Sequence, residues 1–329
     1  MGEAYIHTQN VALFKMVTIG IMGPEGSYSE KAAKLWATKY DLSGAEFRYF
    51  ADIEDTFLAA VQGKSDISIT PVENSIEGSV GVTLDLLLEK DVIIIGEIVV
   101  KIEHCLLSKG GPEKVRVILS HPQGLAQCRH FLKKHFPDAE LRSTGSTSHA
   151  ARLAGEFEEM VAIASPEAAE CYRLKILLSN IQDQKENYTR FIALKAGKKT
   201  SDEQASCAAE SKVELQSGPK SGSKFQSEFE TGSEKCSLSA CKTSLIIYLE
   251  KDRPGALYEI LGAFAKRKIN LTKIESRPSK KELGDYYFYI DFEGQASDAL
   301  IKDALEDIKA KADTLKVLGS YPAFRKSNL

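Results

Sequence analysis

The chain has 329 residues, of which 43% are hydrophobic and 27% are charged, and its formal net charge is -3. This length exceeds what one hydrophobic core usually serves, so two or three domains are expected. The slightly acidic balance argues against a nucleic-acid-binding protein, and no apolar run reaches the roughly 20 residues of a membrane-spanning helix. We predict a cytoplasmic globular protein without nucleic-acid or membrane partners.

The six cysteines and six histidines do not form a metal-binding pattern. The sequence has neither the Cys-x-x-Cys spacing of zinc and redox sites nor a His-x-x-x-His pair. Cys105, Cys128 and Cys171 lie in apolar surroundings and are predicted to be small core residues. We therefore expect no metal site.

The chain opens with a weakly periodic stretch, residues 1–16, that is predicted to be a loose tail. Residues 17–22 form an apolar run of strand length, and Gly23-Pro24-Glu25-Gly26-Ser27 is a turn. Ser27-Tyr28-Ser29-Glu30 fits a capping box at the start of a helix. Such a turn directs backbone N–H groups towards an anion, although an ordinary strand-to-helix turn explains it equally well.

The next predicted elements end in a polar cluster. Strands are predicted at 47–50 and 66–70, with a helix at 52–61 between them. Pro71-Val72-Glu73-Asn74-Ser75 then follows the second strand, at the end where open α/β sheets bind ligands. A helix at 82–90 and a long strand at 92–100 lead into a second lobe.

The second lobe repeats this alternation and then returns to the first. Strands are predicted at 115–119, 140–143 and 161–164, each followed by a helix. The return is Asn187-Tyr188-Thr189-Arg190-Phe191, which enters an apolar strand. Thr189 and Arg190 point to opposite faces of an extended chain, so a joint role needs a bend or a cleft. An ordinary strand with an exposed Arg190 is the alternative.

Residues 196–241 are rich in Ser, Lys, Glu and Gly and have no sustained period, so a flexible linker containing Cys236 and Cys241 is predicted. Regular patterns return from residue 242. The predicted elements are strands at 244–250, 270–276, 286–292 and 315–321 and helices at 256–268 and 297–310. The order βαββαβ predicts a ferredoxin-like unit with an open sheet face, suited to pairing into a homodimer or homotetramer.

Five sequence patches, in order, resemble the prephenate dehydratase family. They are Gly23-Pro24-Glu25-Gly26-Ser27-Tyr28-Ser29, Pro71-Val72-Glu73-Asn74-Ser75 with Gly78, Ser120-His121-Pro122-Gln123 with Leu125 and Gln127-Cys128, Ser146-Thr147 with Ala150-Ala151, and Asn187 with Thr189-Arg190-Phe191. The C-terminal unit resembles the ACT regulatory domain of that family through Gly255-Ala256-Leu257 and Glu275-Ser276-Arg277-Pro278. Ser27 and Tyr28 depart from the family's usual Thr and Phe, and the linker is longer than usual.

The resemblance implies an α/β fold with a two-lobed, periplasmic-binding-protein-like catalytic body at 17–195 and a ferredoxin-like ACT domain at 242–329. Lobe 1 is expected at about 17–98 and 188–195, and lobe 2 at about 99–187. The implied reaction is decarboxylation and dehydration of prephenate to phenylpyruvate, with feedback by L-phenylalanine and no cofactor, because aromatisation drives it. Arogenate dehydratase and a non-enzymatic amino-acid sensor stay open as alternatives.

The resemblance also implies site residues. The catalytic candidates are Thr189, Glu73, Asn74, Ser120 and Gln127. The substrate-binding candidates are Arg190, Ser75, Gly26, Ser27, Thr147 and Phe191. Thr189 would meet the departing hydroxyl, and Glu73 is a candidate acid if burial raises its pKa, with His121 as a rival. Arg190 would clamp a carboxylate or form a salt bridge. Ser120 and Thr147 are also candidate helix caps.

The implied L-phenylalanine site lies in the ACT unit, between paired subunits. Its candidate residues are Gly255, Ala256, Leu257, Asn270, Glu275, Ser276, Arg277 and Pro278. Backbone N–H groups at the start of the helix after Gly255 would take the carboxylate of the amino acid.

Overall fold

A computed structural model describes residues 16–197, 241–249, 254–280, 282 and 284–324. Most of the predicted tail and linker, including Cys236, lies outside these described residues. Contacts divide the described residues into two compact units, one made of residues 16–90 and 98–195 and the other of residues 91–97 with the described residues from 196 to 324. Within the described ranges, no helix is long and apolar enough to cross a membrane.

Two sheets with flanking helices make up the chain between residues 18 and 196. In order the elements are β1 (Thr18–Met22), α1 (Tyr28–Lys39), β2 (Glu46–Phe50), α2 (Ile53–Val61), β3 (Ile67–Asn74), β4 (Gly78–Ser79), α3 (Gly81–Glu89), β5 (Val92–Lys101), β6 (Cys105–Ser108), a short 3-10 turn (Pro112–Lys114), β7 (Val117–Ser120), α4 (Pro122–Gln127), α5 (Arg129–His135), β8 (Glu140–Ser143), α6 (Thr147–Ala154), β9 (Met160–Ala164), α7 (Pro166–Cys171), β10 (Lys175–Leu178) and β11 (Tyr188–Ala196). The α/β fold with two lobes is confirmed.

The first sheet has the strand order β2-β1-β3-β11-β5, with β4 paired to β3. Strands β2, β1 and β3 are parallel, while β11 runs antiparallel to β3. Ile19 and Ile21 of β1 are fully buried, as a central strand covered on both faces requires. The capping box at α1 is present in altered form: the Ser27 hydroxyl accepts the Glu30 N–H, but the Glu30 carboxylate accepts the N–H of Gly26.

The second sheet has the order β10-β6-β9-β7-β8. The antiparallel strands β6 and β10 were not predicted, because both are only four residues long and β6 follows directly on an apolar stretch. Small alanine side chains of α6 and β9 let helix and sheet pack closely in its core. Cys105 and Cys128 are buried as predicted, but Cys171 is exposed, because it ends the short helix α7 at the surface.

The C-terminal unit continues with β12 (Cys241–Tyr248), α8 (Ala256–Lys266), β13 (Leu271–Pro278), β14 (Tyr286–Glu293), α9 (Ala299–Lys309) and β15 (Thr314–Pro322). The order βαββαβ and the antiparallel sheet β13-β14-β12-β15 confirm the ferredoxin-like prediction. One detail was wrong. Cys241 begins β12 and is buried, so it does not belong to the linker predicted at 196–241. Strand β13 continues to Pro278, two residues beyond its predicted end at residue 276, because these residues pair with β14.

Candidate active site

A cavity of about 350 Å³ lies between the two sheets of the first unit. Strands β1, β3 and β11 contribute residues at one wall, and the N-terminal ends of α1, α2, α4 and α6 contribute others. The polar lining side chains are those of Ser27, Tyr28, Ser29, Asn74, His104, His121, Gln123, Gln127, Ser146, Thr147 and Thr189. Apart from the two histidines, these groups are neutral at pH 7. The cavity therefore combines neutral donors with the starts of several helices.

The pairing of β3 with β11 brings Asn74 opposite Thr189. Directly opposed residues in a strand pair share a face, and here that face is the cavity wall. The side-chain Nδ2 of Asn74 lies 2.9 Å from Oγ1 of Thr189 and donates to it. Thr189 and Asn74 are thus brought together, as expected for two catalytic candidates.

The next pair in the same register is Glu73 opposite Arg190. Because successive strand residues alternate between faces, this pair points away from the cavity and neither residue lines it. The two side chains instead form a salt bridge, with 3.3 Å between Arg190 Nε and Glu73 Oε2. The expected clamp by Arg190 and acid role of Glu73 do not fit this geometry, whereas the alternative of a structural salt bridge does.

Phe191 returns to the cavity wall opposite Pro71. The register shifts between Arg190 and Phe191, so Pro71 and Asn74 both face the cavity, although in a regular strand residues three positions apart point to opposite faces. This β-bulge re-aims the strand end towards the site. Phe191 is 3% exposed and gives the cavity an apolar surface against which a ring can pack.

Gln127 lines the cavity and ends a chain of buried amides. Asn74 Nδ2 donates to Asn187 Oδ1 at 2.8 Å, and Asn187 Nδ2 donates to Gln127 Oε1 at 2.9 Å. Nε2 of His104 lies 2.9 Å from the same Gln127 oxygen. Burial lowers the pKa of His104 from its ordinary value of 6.5, against the opposing effect of this hydrogen bond.

Helix starts form the opposite side of the cavity. Thr147 is the first residue of α6, whose cap is Ser146, not Thr147, since the Ser146 hydroxyl accepts the His149 N–H. His121 caps α4 with its Nδ1, which accepts from Gln123 N–H at 3.3 Å. Thr147 and His121 therefore both face the cavity, and the Nε2 of His121 is not used by the cap.

Ser27 lines the cavity, but its hydroxyl is engaged in the fold. It accepts the Glu30 N–H at 3.2 Å and donates to the Met22 carbonyl at 3.1 Å. Gly26 does not line the cavity. Its φ is +75°, and a Cβ there would lie 2.9 Å from the Cα of Ala168. Its role is thus close packing of the turn against α7, not the expected substrate contact.

Ser120 and Ser75 also lie outside the cavity lining. The buried Ser120 hydroxyl donates to the carbonyl of Ile163 at 2.7 Å and so ties β7 to β9. It does not cap α4, a position taken by His121. The Ser75 hydroxyl accepts the Tyr188 N–H at 2.9 Å and holds the start of β11. Both serines thus hold strands in place next to the cavity and do not line it.

Sequence reasoning missed Tyr28, His104 and Asn187 as site residues. Tyr28 and Asn187 lie inside the motifs, but His104 sits in an apolar stretch that gives no signal of its own. The Tyr28 hydroxyl donates to the Glu103 carbonyl at 2.7 Å, and burial raises its pKa well above 10.0. Across the described ranges, no group of three or more His, Cys, Asp or Glu residues could hold a metal ion.

The residues expected to bind an amino acid lie at two places in the C-terminal unit. Gly255 precedes α8 with a φ of +86°, and Ala256 and Leu257 form the first turn of that helix. No side chain caps these N–H groups in the described structure. Asn270 directly precedes β13, and Glu275, Ser276, Arg277 and Pro278 lie on that strand. In the described sheet β13 is an edge strand.

Comparisons with known proteins identify the family of this chain. The family model for Prephenate dehydratase matches residues 19–199, and the model for the ACT domain matches residues 243–310. The chain is 40% identical over 304 residues to the prephenate dehydratase of Methanocaldococcus jannaschii, covering 92% of the chain and 96% of that relative.

Solved structures extend the similarity. The prephenate dehydratase of Arthrobacter aurescens in complex with L-Phe has a TM-score of 0.72 and 28% identity, covering 94% of the chain and 92% of that structure. GqqA, described as a novel type of quorum quenching acylase, also has a TM-score of 0.72, with 26% identity and coverage of 93% and 98%.

Proposed function

The chain belongs to the prephenate dehydratase family, and from this premise we propose that its cavity converts prephenate to phenylpyruvate, water and carbon dioxide with Thr189 at the departing hydroxyl. The observation that carries this assignment is the hydrogen bond from Asn74 to Thr189 on the cavity wall. In the reaction, the C–O bond to the ring hydroxyl and the C–C bond to the ring carboxylate break. The electron pair of the C–C bond enters the ring, and the hydroxyl takes up one proton to leave as water.

The orientation of the Thr189 hydroxyl follows from its partner. A hydroxyl has one proton and two lone pairs. Asn74 Nδ2 donates to Oγ1 and uses one lone pair, so the Thr189 proton can be donated to the ring hydroxyl of the substrate. Threonine is too weak an acid to transfer that proton outright. Its role is to hydrogen-bond and orient the leaving group while negative charge develops on it.

His121 is our candidate for a second hydrogen-bond donor to the departing hydroxyl, with solvent water as the source of the proton. It lines the cavity, and its Nδ1 accepts the N–H of Gln123, which leaves Nε2 to carry a proton towards the substrate. A His121→Asn variant can keep an acceptor near the position of Nδ1 for the cap and loses the N–H at Nε2. We expect its kcat to fall about a hundredfold. An unchanged kcat in that variant would remove His121 from the reaction.

The neutral lining suits loss of carbon dioxide. An arginine paired with the carboxylate would stabilise the bound substrate strongly, and this stabilisation would be lost when the carboxylate becomes neutral carbon dioxide. Helix N–H groups and neutral donors bind the carboxylate less strongly, so less stabilisation is lost in this step. The helix starts at Tyr28 and Thr147 border the cavity and supply such N–H groups. Phe191 offers the apolar surface for the ring that becomes aromatic.

The same lining favours prephenate over arogenate. Prephenate carries a keto oxygen, which accepts hydrogen bonds, where arogenate carries an ammonium group, which donates them. The amides and hydroxyls that surround the cavity can donate to the keto oxygen without a charged partner. We expect a kcat/KM at least tenfold higher for prephenate than for arogenate. Equal values in side-by-side assays would contradict this preference.

The test of the assignment compares Thr189→Val with Thr189→Ser in a phenylpyruvate assay. The Val variant keeps the shape and loses the hydroxyl, so kcat should fall between about a hundredfold and a thousandfold. The Ser variant keeps the hydroxyl and should stay within about tenfold of the parent chain. Phenylpyruvate formation unaffected by Thr189→Val would refute the role. A parent chain that forms no phenylpyruvate from prephenate would refute the function.

For the C-terminal unit we propose feedback by L-phenylalanine, bound where α8 begins, and assembly of two or four copies through this unit. The uncapped first turn after Gly255 can take the carboxylate, and the edge strand β13 can pair with a second copy. The related Arthrobacter aurescens structure was solved in complex with L-Phe, which supports the choice of ligand.

Calorimetry on the full chain tests this regulatory site. Gly255→Ala should weaken L-phenylalanine binding about tenfold, because the αL conformation that opens α8 is strained for alanine. Gly284→Ala is the matched control, since it also has positive φ and open space around it. Absence of L-phenylalanine binding to the parent chain would overturn the proposal, as would equal effects of the two variants.

A further inference from the structure

We propose that His104 is a positioning residue, held as the neutral tautomer with its proton on Nε2, that fixes the orientation of the Gln127 amide at the cavity. This inference rests on the proposed function for the role of the cavity, but not for the tautomer itself. Backbone N–H groups, whose donor character cannot be reversed, determine the direction of every hydrogen bond in the chain of buried amides.

Asn74 determines which end of each side-chain amide donates in the hydrogen-bonded series Asn74, Asn187 and Gln127. The backbone N–H groups of Ile76 and Glu77 both donate to Asn74 Oδ1, each at 3.0 Å. A backbone N–H can only donate, so this atom must be the amide oxygen. The other end of the Asn74 side chain is therefore the NH2 group, and its contacts are donations.

That assignment determines the next two amides in turn. Asn74 Nδ2 donates to Asn187 at 2.8 Å, so the accepting atom is Asn187 Oδ1. The Asn187 NH2 group then faces Gln127 at 2.9 Å, so the accepting atom there is Gln127 Oε1. Asn187 is fully buried, which leaves it no water with which to satisfy a reversed arrangement.

The tautomer of His104 follows from the same logic. Its Nε2 lies 2.9 Å from Gln127 Oε1, and an oxygen can only accept, so Nε2 carries a proton. His104 is 3% exposed, and burial lowers its pKa, so the ring is neutral and Nδ1 keeps a lone pair. The neighbouring titratable group, Tyr28, already donates its hydroxyl to Glu103, with Nδ1 of His104 3.4 Å away.

The consequence for the site is a fixed orientation of the Gln127 amide. Its Oε1 is held by His104 and Asn187, and its NH2 group is turned towards the Glu77 carboxylate, which lies at a long 3.4 Å. His104 therefore prevents the reversed arrangement of this cavity-lining amide. The His104 backbone is itself anchored, because its N–H donates to Gln182 Oε1 at 3.0 Å.

The tautomer is tested without reference to activity, by NMR of the full chain labelled with 15N-histidine. The His104 signals among the six histidines are identified by their loss in His104→Gln. We expect a neutral ring with the proton on Nε2 at pH 7. A proton on Nδ1, or a charged ring, would overturn the proposal even if the chain turns over prephenate.

The positioning role is tested by kinetics on variants. His104→Gln can place an NH2 group near the position of Nε2 and should keep kcat/KM for prephenate within about threefold, whereas His104→Leu should lose on the order of tenfold. His135→Leu removes an exposed histidine outside the cavity and should have no effect.

A double variant tests whether the loss of kcat/KM in His104→Leu arises through Gln127. If His104 acts through Gln127, then His104→Leu together with Gln127→Leu should lose no more kcat/KM than Gln127→Leu alone. Losses that multiply would show that His104 acts by another route and would overturn the proposal. A parent chain without prephenate turnover would refute the proposed function but leave the NMR result standing, so the two failures are distinguishable.

Discussion

The two faces of the strand pair β3–β11 differ in chemistry although their residues are sequence neighbours. The cavity face carries Asn74 and Thr189, which are neutral and hydrogen-bonded to each other. The opposite face carries Glu73 and Arg190, which are charged and paired. The difference teaches that the charges in these motifs pair across the strands, while neutral groups line the cavity. The predictions below test this division of roles.

The largest effect is expected at Asn74. Asn74→Asp keeps the size of the side chain but removes the NH2 group that donates to Thr189 and Asn187, and it adds a charge to a neutral wall. We expect kcat for prephenate to fall about a thousandfold. Glu73→Gln makes a comparable change one residue away on the opposite face and should stay within about threefold. If kcat falls equally in the two variants, the two faces do not divide the roles as described.

Arg190→Met should affect stability more than turnover. The side chain of Arg190 is 13% exposed, but that of its partner Glu73 is 38% exposed, so solvent screens the pair. We expect the free energy of unfolding to fall by about 1 kcal/mol, with KM for prephenate changed less than threefold. Urea unfolding and steady-state kinetics give the two numbers. A KM raised a hundredfold would indicate that Arg190 does bind the substrate carboxylate.

His104, which lines the cavity, should make the free energy of unfolding depend on pH. Its folded-state pKa lies below the ordinary value of 6.5, so the unfolded chain binds the proton more readily. The contribution of His104 to stability is thus present above about pH 6.5 and is lost as the pH falls through the folded-state pKa. Unfolding free energies at pH 7.5 and 5.5 should differ by about 1 kcal/mol more in the parent chain than in His104→Gln. An identical difference would contradict the buried neutral ring.

The smallest effect is expected at Ser75, which supports the frame beside the cavity. Its hydroxyl accepts the Tyr188 N–H at the start of β11. Ser75→Ala should lower the free energy of unfolding by about 0.5–1 kcal/mol and leave kcat within about twofold, because Tyr188 N–H is near enough to the surface to find water. Thermal unfolding and the phenylpyruvate assay measure both. A tenfold loss of kcat would return Ser75 to the substrate-binding residues.

The amino-acid pattern was enough to predict most strands and helices in order, the ferredoxin-like C-terminal unit and the family, but not the short strands β4, β6 and β10. Hydrophobic periodicity and turn residues act locally, so β1, α1 and the βαββαβ order can be recognised without knowing the packing. The motifs also identified Asn74, Gln127 and Thr189, which the structure brings to one cavity or to one hydrogen-bonded chain ending there.

Only the tertiary structure decided which motif residues face the cavity. Glu73 and Asn74 must point to opposite faces of β3, but only the packing of the sheets decides that the face of Asn74 lines the cavity, and the bulge brings Pro71 to the same face. His104 carries no local signal, because its importance arises from Gln127 and Asn187, which lie 23 and 83 residues further along the chain. Strand register and contacts between distant segments are set by packing of the whole unit, and a pattern of neighbouring residues does not encode them.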